Sequence, residues 1–126
     1  MDAKWVWIAV GGGAGSVLRY WLAHHLQRLA VSGFPLGTLL VNVTGCLGIG
    51  LLAGLFAGSL ILREEYRLGL TVGLLGGFTT FSTFGFETFQ LGHTGYLRLA
   101  LLNILLSCTL GVLAVWAGHR VAEMWR

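Results

Sequence analysis

The sequence predicts an all-α membrane protein with four transmembrane helices, the third broken near its middle, in a single transmembrane domain over residues 1–126. Three observations carry this reading. Of the 126 residues, 56% are hydrophobic and 10% charged, against roughly one-quarter charged in a typical soluble domain, and the mean hydropathy is +0.79. The apolar residues fall into four long stretches, each near the roughly 20 residues that a helix needs to cross a bilayer. Inside the third lies Gly76-Gly77-Phe78-Thr79-Thr80-Phe81-Ser82-Thr83-Phe84. Glycine pairs and β-branched threonines weaken a helix there, and irregular backbone at membrane depth persists only where protein or a water-lined cavity satisfies its polar groups.

Charge and composition exclude several function classes. The net charge is +3, but the basic residues are spread along the chain and form no stripe, so they flank membrane spans and do not mark a nucleic-acid partner. No nucleophile–base pair, metal-ligand set or phosphate loop survives inspection, which argues against an enzyme. Cys46 and Cys108 fall in the middle of apolar spans and read as small buried thiols.

The first span covers residues 5–26 and is read as a retained helix, because no small-x-small cleavage site follows its apolar run. Gly11-Gly12-Gly13-Ala14-Gly15 lacks the third glycine and the flanking strand of a dinucleotide loop. Gly11 and Gly15 instead permit close approach of another helix. Arg19 either snorkels to an interface or places a fixed positive charge at an aqueous mouth. His24 and His25 diverge by about 100° on a helix and make a poor metal pair; with His93 and His119 they read as interfacial.

Pro35 fits the start of the second span, residues 36–62. Thr38 and Asn42 share one face, and Gly50, Gly54 and Gly58 follow in steps of four. Asn42 has two readings, a hydrogen bond to a neighbouring helix or NH2 donors offered to an ion. Residues 63–67 read as a polar interface loop. The third span, residues 68–91, carries Gly69, Gly73 and Gly77 before the irregular stretch, and Glu87 after it. A carboxylate inside a span is a functional suspect, although near a span end it can simply face water. The fourth span, residues 99–118, aligns Asn103, Ser107 and Gly111 in a polar stripe that either bonds a neighbouring helix or lines an aqueous path. Lys4, Arg63, Arg67, Arg120 and Arg126 fall on one side, against Arg28 and Arg98 on the other, favouring termini inside.

Helices so rich in small residues pack too tightly for a central pore, so a conduit is expected between subunits of a homo-oligomer, with the glycine steps of spans two and three as its candidate interface. Phe78, Phe81 and Phe84 recur every three residues as a slanted row. The positive edges of phenyl rings can favour an anion without a full charge. Hydroxyls of Thr79, Thr80, Ser82 and Thr83 can replace its hydration, and the run holds no fixed cation to trap it. Carbonyls freed around Gly76 to Thr79 can either coordinate a small hard cation or be satisfied by neighbouring groups.

Gly15 with Arg19-Tyr20, Gly37-Thr38-Leu39 with Val41-Asn42 and Gly45, and above all the run from Gly76 to Phe84 resemble the Fluc family of fluoride channels, also called CrcB. The resemblance covers all four spans. It implies an antiparallel, dual-topology homodimer in the cell (inner) membrane that passively exports fluoride through two pores. Its partners would be fluoride, membrane lipid and a second copy of itself, with no nucleic acid. It also implies a structural sodium ion at the dimer interface, held by the backbone carbonyls of Gly76 and Thr79. Phe81 and Phe84 would be the pore aromatics and Asn42 the pore amide, with Ser82, Thr83, Thr38, Asn103 and Ser107 as the polar track and Arg19 at the entrance. The competing expectation is a small proton-coupled membrane exporter. Its titratable group would be Glu87, since the first span has no carboxylate.

Overall fold

The structure, a computed structural model, describes residues 2–58 and 61–125, and no strand occurs among them. Helix α1 (Ala3–Gln27) is followed by α2 (Leu36–Ala57), α3 (Glu64–Leu68), a π-helical segment (Gly69–Leu75), the single turn α4 (Gly76–Phe78), α5 (Phe81–His93) and α6 (Leu97–Glu123). Among the described residues, three helical stretches are long and apolar enough to cross a membrane: Leu36–Ala57, Glu64–His93 and Leu97–Glu123. Helix α1 has 25 residues, about 37 Å of helix, but its glycines, Arg19 and paired histidines make it less apolar.

Two boundaries differ from expectation. Residues 64–67 are not loop but the start of the third helical stretch. Glu64 and Glu65 occupy its first turn, where carboxylates complement the helix dipole. Helix α2 ends at Ala57; residues 59 and 60 of the expected second span, like Arg126 of the charge count, lie outside the described residues. Gly33 and Gly95 take left-handed φ of 73° and 91° in the first and last connections, where a side chain would be strained.

Glycines set the packing, and they do so within the chain. A Cβ on Gly15 would overlap the Leu74 carbonyl and lie 2.9 Å from Phe78 N, and one on Gly73 would lie 2.8 Å from Ile8 O. Helix α1 therefore runs backbone-to-backbone and parallel with the third stretch, pinned at its start by Lys4 Nζ at 3.1 Å from Glu64 Oε2. Gly50 abuts Val115, Gly54 abuts Ala122 and Gly118 abuts Leu47, so α2 and α6 are also parallel and in close contact. The expectation that the glycine steps of spans two and three form an oligomer interface is corrected here. Gly50, Gly54, Gly69, Gly73 and Gly77 are all used on helices of the same chain, where small residues let backbones approach. Large apolar side chains are left on the outside, among them Leu101, Leu105, Val112 and Trp116 of α6.

Candidate functional site at the broken helix

The break falls at Thr79 and Thr80. Their φ/ψ values of −91°/155° and −149°/118° are extended, while Gly76–Phe78 before them remain helical. The irregularity expected from Gly76 to Thr79 is thus centred at its C-terminal end. Upstream, the Gly76 N–H reaches back to the Thr71 carbonyl, the wide turn that marks π-helix.

Asn42 holds the break from α2. Its Oδ1 accepts from Thr80 N–H at 2.8 Å and its Nδ2 donates to the Thr80 carbonyl at 3.0 Å. Of its two readings, the structure displays the hydrogen bond to a neighbouring segment. In a continuous helix the Thr80 amide would donate to Gly76 O, and that donor is now committed to Asn42. Thr80 also starts α5: its Oγ1 accepts from Thr83 N–H at 3.2 Å and donates to Thr83 Oγ1 at 3.1 Å, with Ser82 Oγ at 3.3 Å. This is a threonine N-cap, and sequence reasoning missed it. Thr80 followed three residues later by a second hydroxyl residue was the available signal.

The break divides the aromatic row. Phe78 is buried, whereas Phe81 is 83% exposed and stands 5.5 Å from Phe84, centroid to centroid, with the rings inclined at 50°. The row reduces to Phe81 and Phe84, which line a groove of about 470 Å³ with Asn42, Gly76, Thr79, Thr80, Ser107 and both cysteines. Cys108, expected to be buried, is exposed on α6, and Cys46 is half-buried.

A second cavity of about 610 Å³ lies on the other side of the break, lined by Arg19, Thr38, Thr80, Thr83 and Glu87, with His24, Gln27 and Gln90. Arg19 does not simply snorkel. Its Nε donates to the Gly77 carbonyl at 3.1 Å, which ties α1 to the turn before the break at the lining of the cavity. Thr38 Oγ1 donates to Glu87 Oε1 at 2.8 Å. The other oxygen of Glu87, Oε2, is buried without a hydrogen-bond partner, so this carboxylate does not merely face water.

The stripe on α6 bonds a neighbouring helix. Asn103, 1% exposed, donates from Nδ2 to Thr88 Oγ1 at 2.9 Å and accepts from Ser107 Oγ at 3.3 Å, and Thr88 donates to Phe84 O at 2.7 Å. Ser107 also reaches the groove. Thr88 is the second residue missed from the sequence; its position four residues after Phe84 was the only hint. Thr38, Thr83 and Arg19 thus gather in the second cavity and Phe81, Phe84, Asn42 and Ser107 in the groove. Asn103 is buried and meets the groove only through its bond to Ser107, and Ser82 is exposed beside Thr80.

These features define a small helical membrane protein built around a discontinuous span, with polar side chains collected on both sides of the discontinuity. Residues 6–119 match the family described as CrcB-like protein, Camphor Resistance (CrcB), and the chain belongs to that family. It is 50% identical over 116 residues to the fluoride-specific ion channel FluC of Geobacter sulfurreducens, covering 92% of this chain and 94% of that protein. To the protein of the same name from Solibacter usitatus it is 44% identical over 120 residues, covering 95% and 98%. It is also 44% identical over 119 residues to fluoride-specific ion channel FluC 2 of Symbiobacterium thermophilum, covering 94% and 97%.

Proposed function

We propose that this chain is a fluoride-selective ion channel that passively exports fluoride across the cell (inner) membrane. The observation that carries the reading is the break at Thr79–Thr80. It brings the rings of Phe81 and Phe84, the amide of Asn42 and the hydroxyl of Ser107 to one groove, in a chain whose relatives are named as fluoride-specific ion channels. Ring edges and hydroxyls favour a small anion, and among the described residues no lysine or arginine lines the groove to trap it. Such sites are strong enough to replace hydration and weak enough to release.

The functional unit is an antiparallel, dual-topology homodimer with two pores. The groove is open on one side of a single chain, and Phe81 stands exposed at its edge; a second copy laid over it would close a conduit. Helix α1 is the fourth span, because it runs parallel to the third stretch along its length. The apolar outer residues of α6 suit lipid contact. The carbonyls of Gly76 and Thr79 fit a structural sodium ion. The helical donor for Gly76 O is diverted to Asn42, the Thr79 peptide is extended, and a hard cation takes oxygen ligands. That ion would supply a shared positive centre for two copies.

Ion efflux from liposomes containing only this protein, with fluoride compared against chloride, tests the reading. Fast, fluoride-selective efflux is expected; equal rates for both ions, or none for either, would sink it. The second reading, a proton-coupled exporter using Glu87, is favoured by the unpartnered buried Oε2. Glu87→Gln distinguishes them, since a channel keeps conducting, whereas the exporter loses transport while still assembling.

A further inference from the structure

Cys46 and Cys108 are both free thiols, and both line the groove that holds Phe81 and Phe84, one from α2 and one from α6. The fluoride-channel reading gives neither sulfur a task. The two helices lie backbone against backbone along this seam, Gly50 against Val115 and Gly118 against Leu47. Cys46 Sγ lies 3.5 Å from the point where a Cβ on Gly111 would stand. Gly111 is three residues after Cys108 on α6, and Cβ positions at that helical spacing are roughly 5–6 Å apart. The sulfur from α2 therefore reaches α6 about one turn from Cys108, across a gap that Gly111 leaves unfilled. The lining also narrows the class of ligand. Among the described residues no histidine or carboxylate lines the groove, and no group of three or more His, Cys, Asp or Glu side chains is placed to hold a metal. A structural zinc ion takes four such ligands and is not served. Two sulfurs suit a soft cation that is satisfied by two thiolates.

We infer that Cys46 and Cys108 together form a site for one soft, thiol-seeking cation that bridges α2 and α6. The thiolate is the metal ligand, so two sulfur–metal bonds replace two S–H bonds and both protons pass to water. Neither metal nor sulfur changes oxidation state, and no oxidant is needed. With a divalent ion the bridged pair is neutral, which an apolar groove tolerates where it would not tolerate a free charge. The consequence for transport rests on the fluoride-channel reading above: a metal bridge in the groove that holds Phe81 and Phe84 obstructs the anion.

The probe is mercury(II) alone, titrated into the purified wild type, Cys46→Ala and Cys108→Ala. The ultraviolet absorbance of the mercury–thiolate bond gives the ratio of ion to chain. Fluoride efflux from liposomes is read in parallel, against each protein's own rate without mercury. The wild type is expected to saturate at one ion per chain and to lose efflux. Each single variant keeps one thiol and is expected to need about a hundredfold more mercury for the same saturation, the lower end of what linking two contacts gains. A variant that saturates at the wild-type concentration overturns the site, as does a mercury-linked dimer on a thiol-free denaturing gel, which would place the bridge between copies. Two ions per chain in the wild type overturns it even if a variant does not fold, because the thiols then act singly. One ion per chain with undiminished efflux upholds the site and overturns the placement of the anion path in this groove. Absence of efflux before mercury is added overturns the channel reading instead.

Discussion

Asn42 and Thr80, 38 residues apart, pair side-chain amide to backbone amide, with both bonds within 3.0 Å. The geometry resembles one rung of a β-ladder, and it explains how extended backbone is tolerated inside an apolar segment. Asn42→Leu leaves the Thr80 N–H and C=O without these partners, at roughly 1–3 kcal/mol for each unsatisfied group. The expected outcome is a clear fall in the unfolding temperature together with loss of efflux. An unchanged unfolding temperature would mean that the break is held by something other than Asn42.

Two neighbouring glycines of α1 should behave oppositely. Gly15 lies against backbone atoms of Leu74 and Phe78, while a Cβ on Gly13 meets nothing within 4 Å. Overpacking a tight site costs about 1–3 kcal/mol or more, and backbone cannot yield as a flexible side chain can. Gly15→Val is expected to abolish the monodisperse species in size-exclusion chromatography. Gly13→Ala should leave it intact, with a gain of up to about 1 kcal/mol from helix propensity. Equal effects at the two positions would contradict the packing of α1 on the third stretch.

The contrast between those glycines also marks how far the sequence could be read. Polar residues in an apolar background stand out because their burial is expensive, so Asn42, Thr38, Glu87 and the 76–84 run stood out as candidates, and the irregularity expected from Gly76 to Thr79 overlaps the observed break at Thr79 and Thr80. Choice of partner was not legible. A stripe of small residues says that a backbone approaches closely but not whose, and Gly69 and Gly73 turned out to face α1 of the same chain. Asn42 carries both donors and acceptor, so its pairing with Thr80 required knowing which peptide groups the break had released. Residues 64–67 looked like a loop because charge clusters at interfaces, yet the same carboxylates are favourable in a helix's first turn. Phe81 and Phe84 stand side by side, whereas the helical spacing that added Phe78 assumed a continuity the chain does not have.

Asn103 and Thr88 join α6 to α5 by a buried hydrogen bond of 2.9 Å. Hydrogen bonds between membrane helices average about 0.6 kcal/mol and reach about 1.7. A double-mutant cycle with Asn103→Leu and Thr88→Val should give a coupling in that range, measured by reversible unfolding. Additive effects would show that the contact contributes no net stability, and Asn103 would then be retained for another reason.

Phe81 offers the sharpest separation of fold from function. In the single chain its ring is 83% exposed and its closest aromatic neighbour is Phe84, at 5.5 Å. Replacing it with another apolar residue therefore removes little buried surface, and at about 25 cal/mol per Å² the cost to the fold is small. What isoleucine cannot supply is the positive edge of a phenyl ring. Phe81→Ile is expected to keep the wild-type elution volume and an unfolding temperature close to that of the wild type, while fluoride efflux falls by about tenfold or more, the equivalent of roughly 1.4 kcal/mol. Efflux that survives the substitution would show that the ring edge is not what meets the ion, and would shift the anion path toward the Thr38, Thr83 and Ser107 hydroxyls.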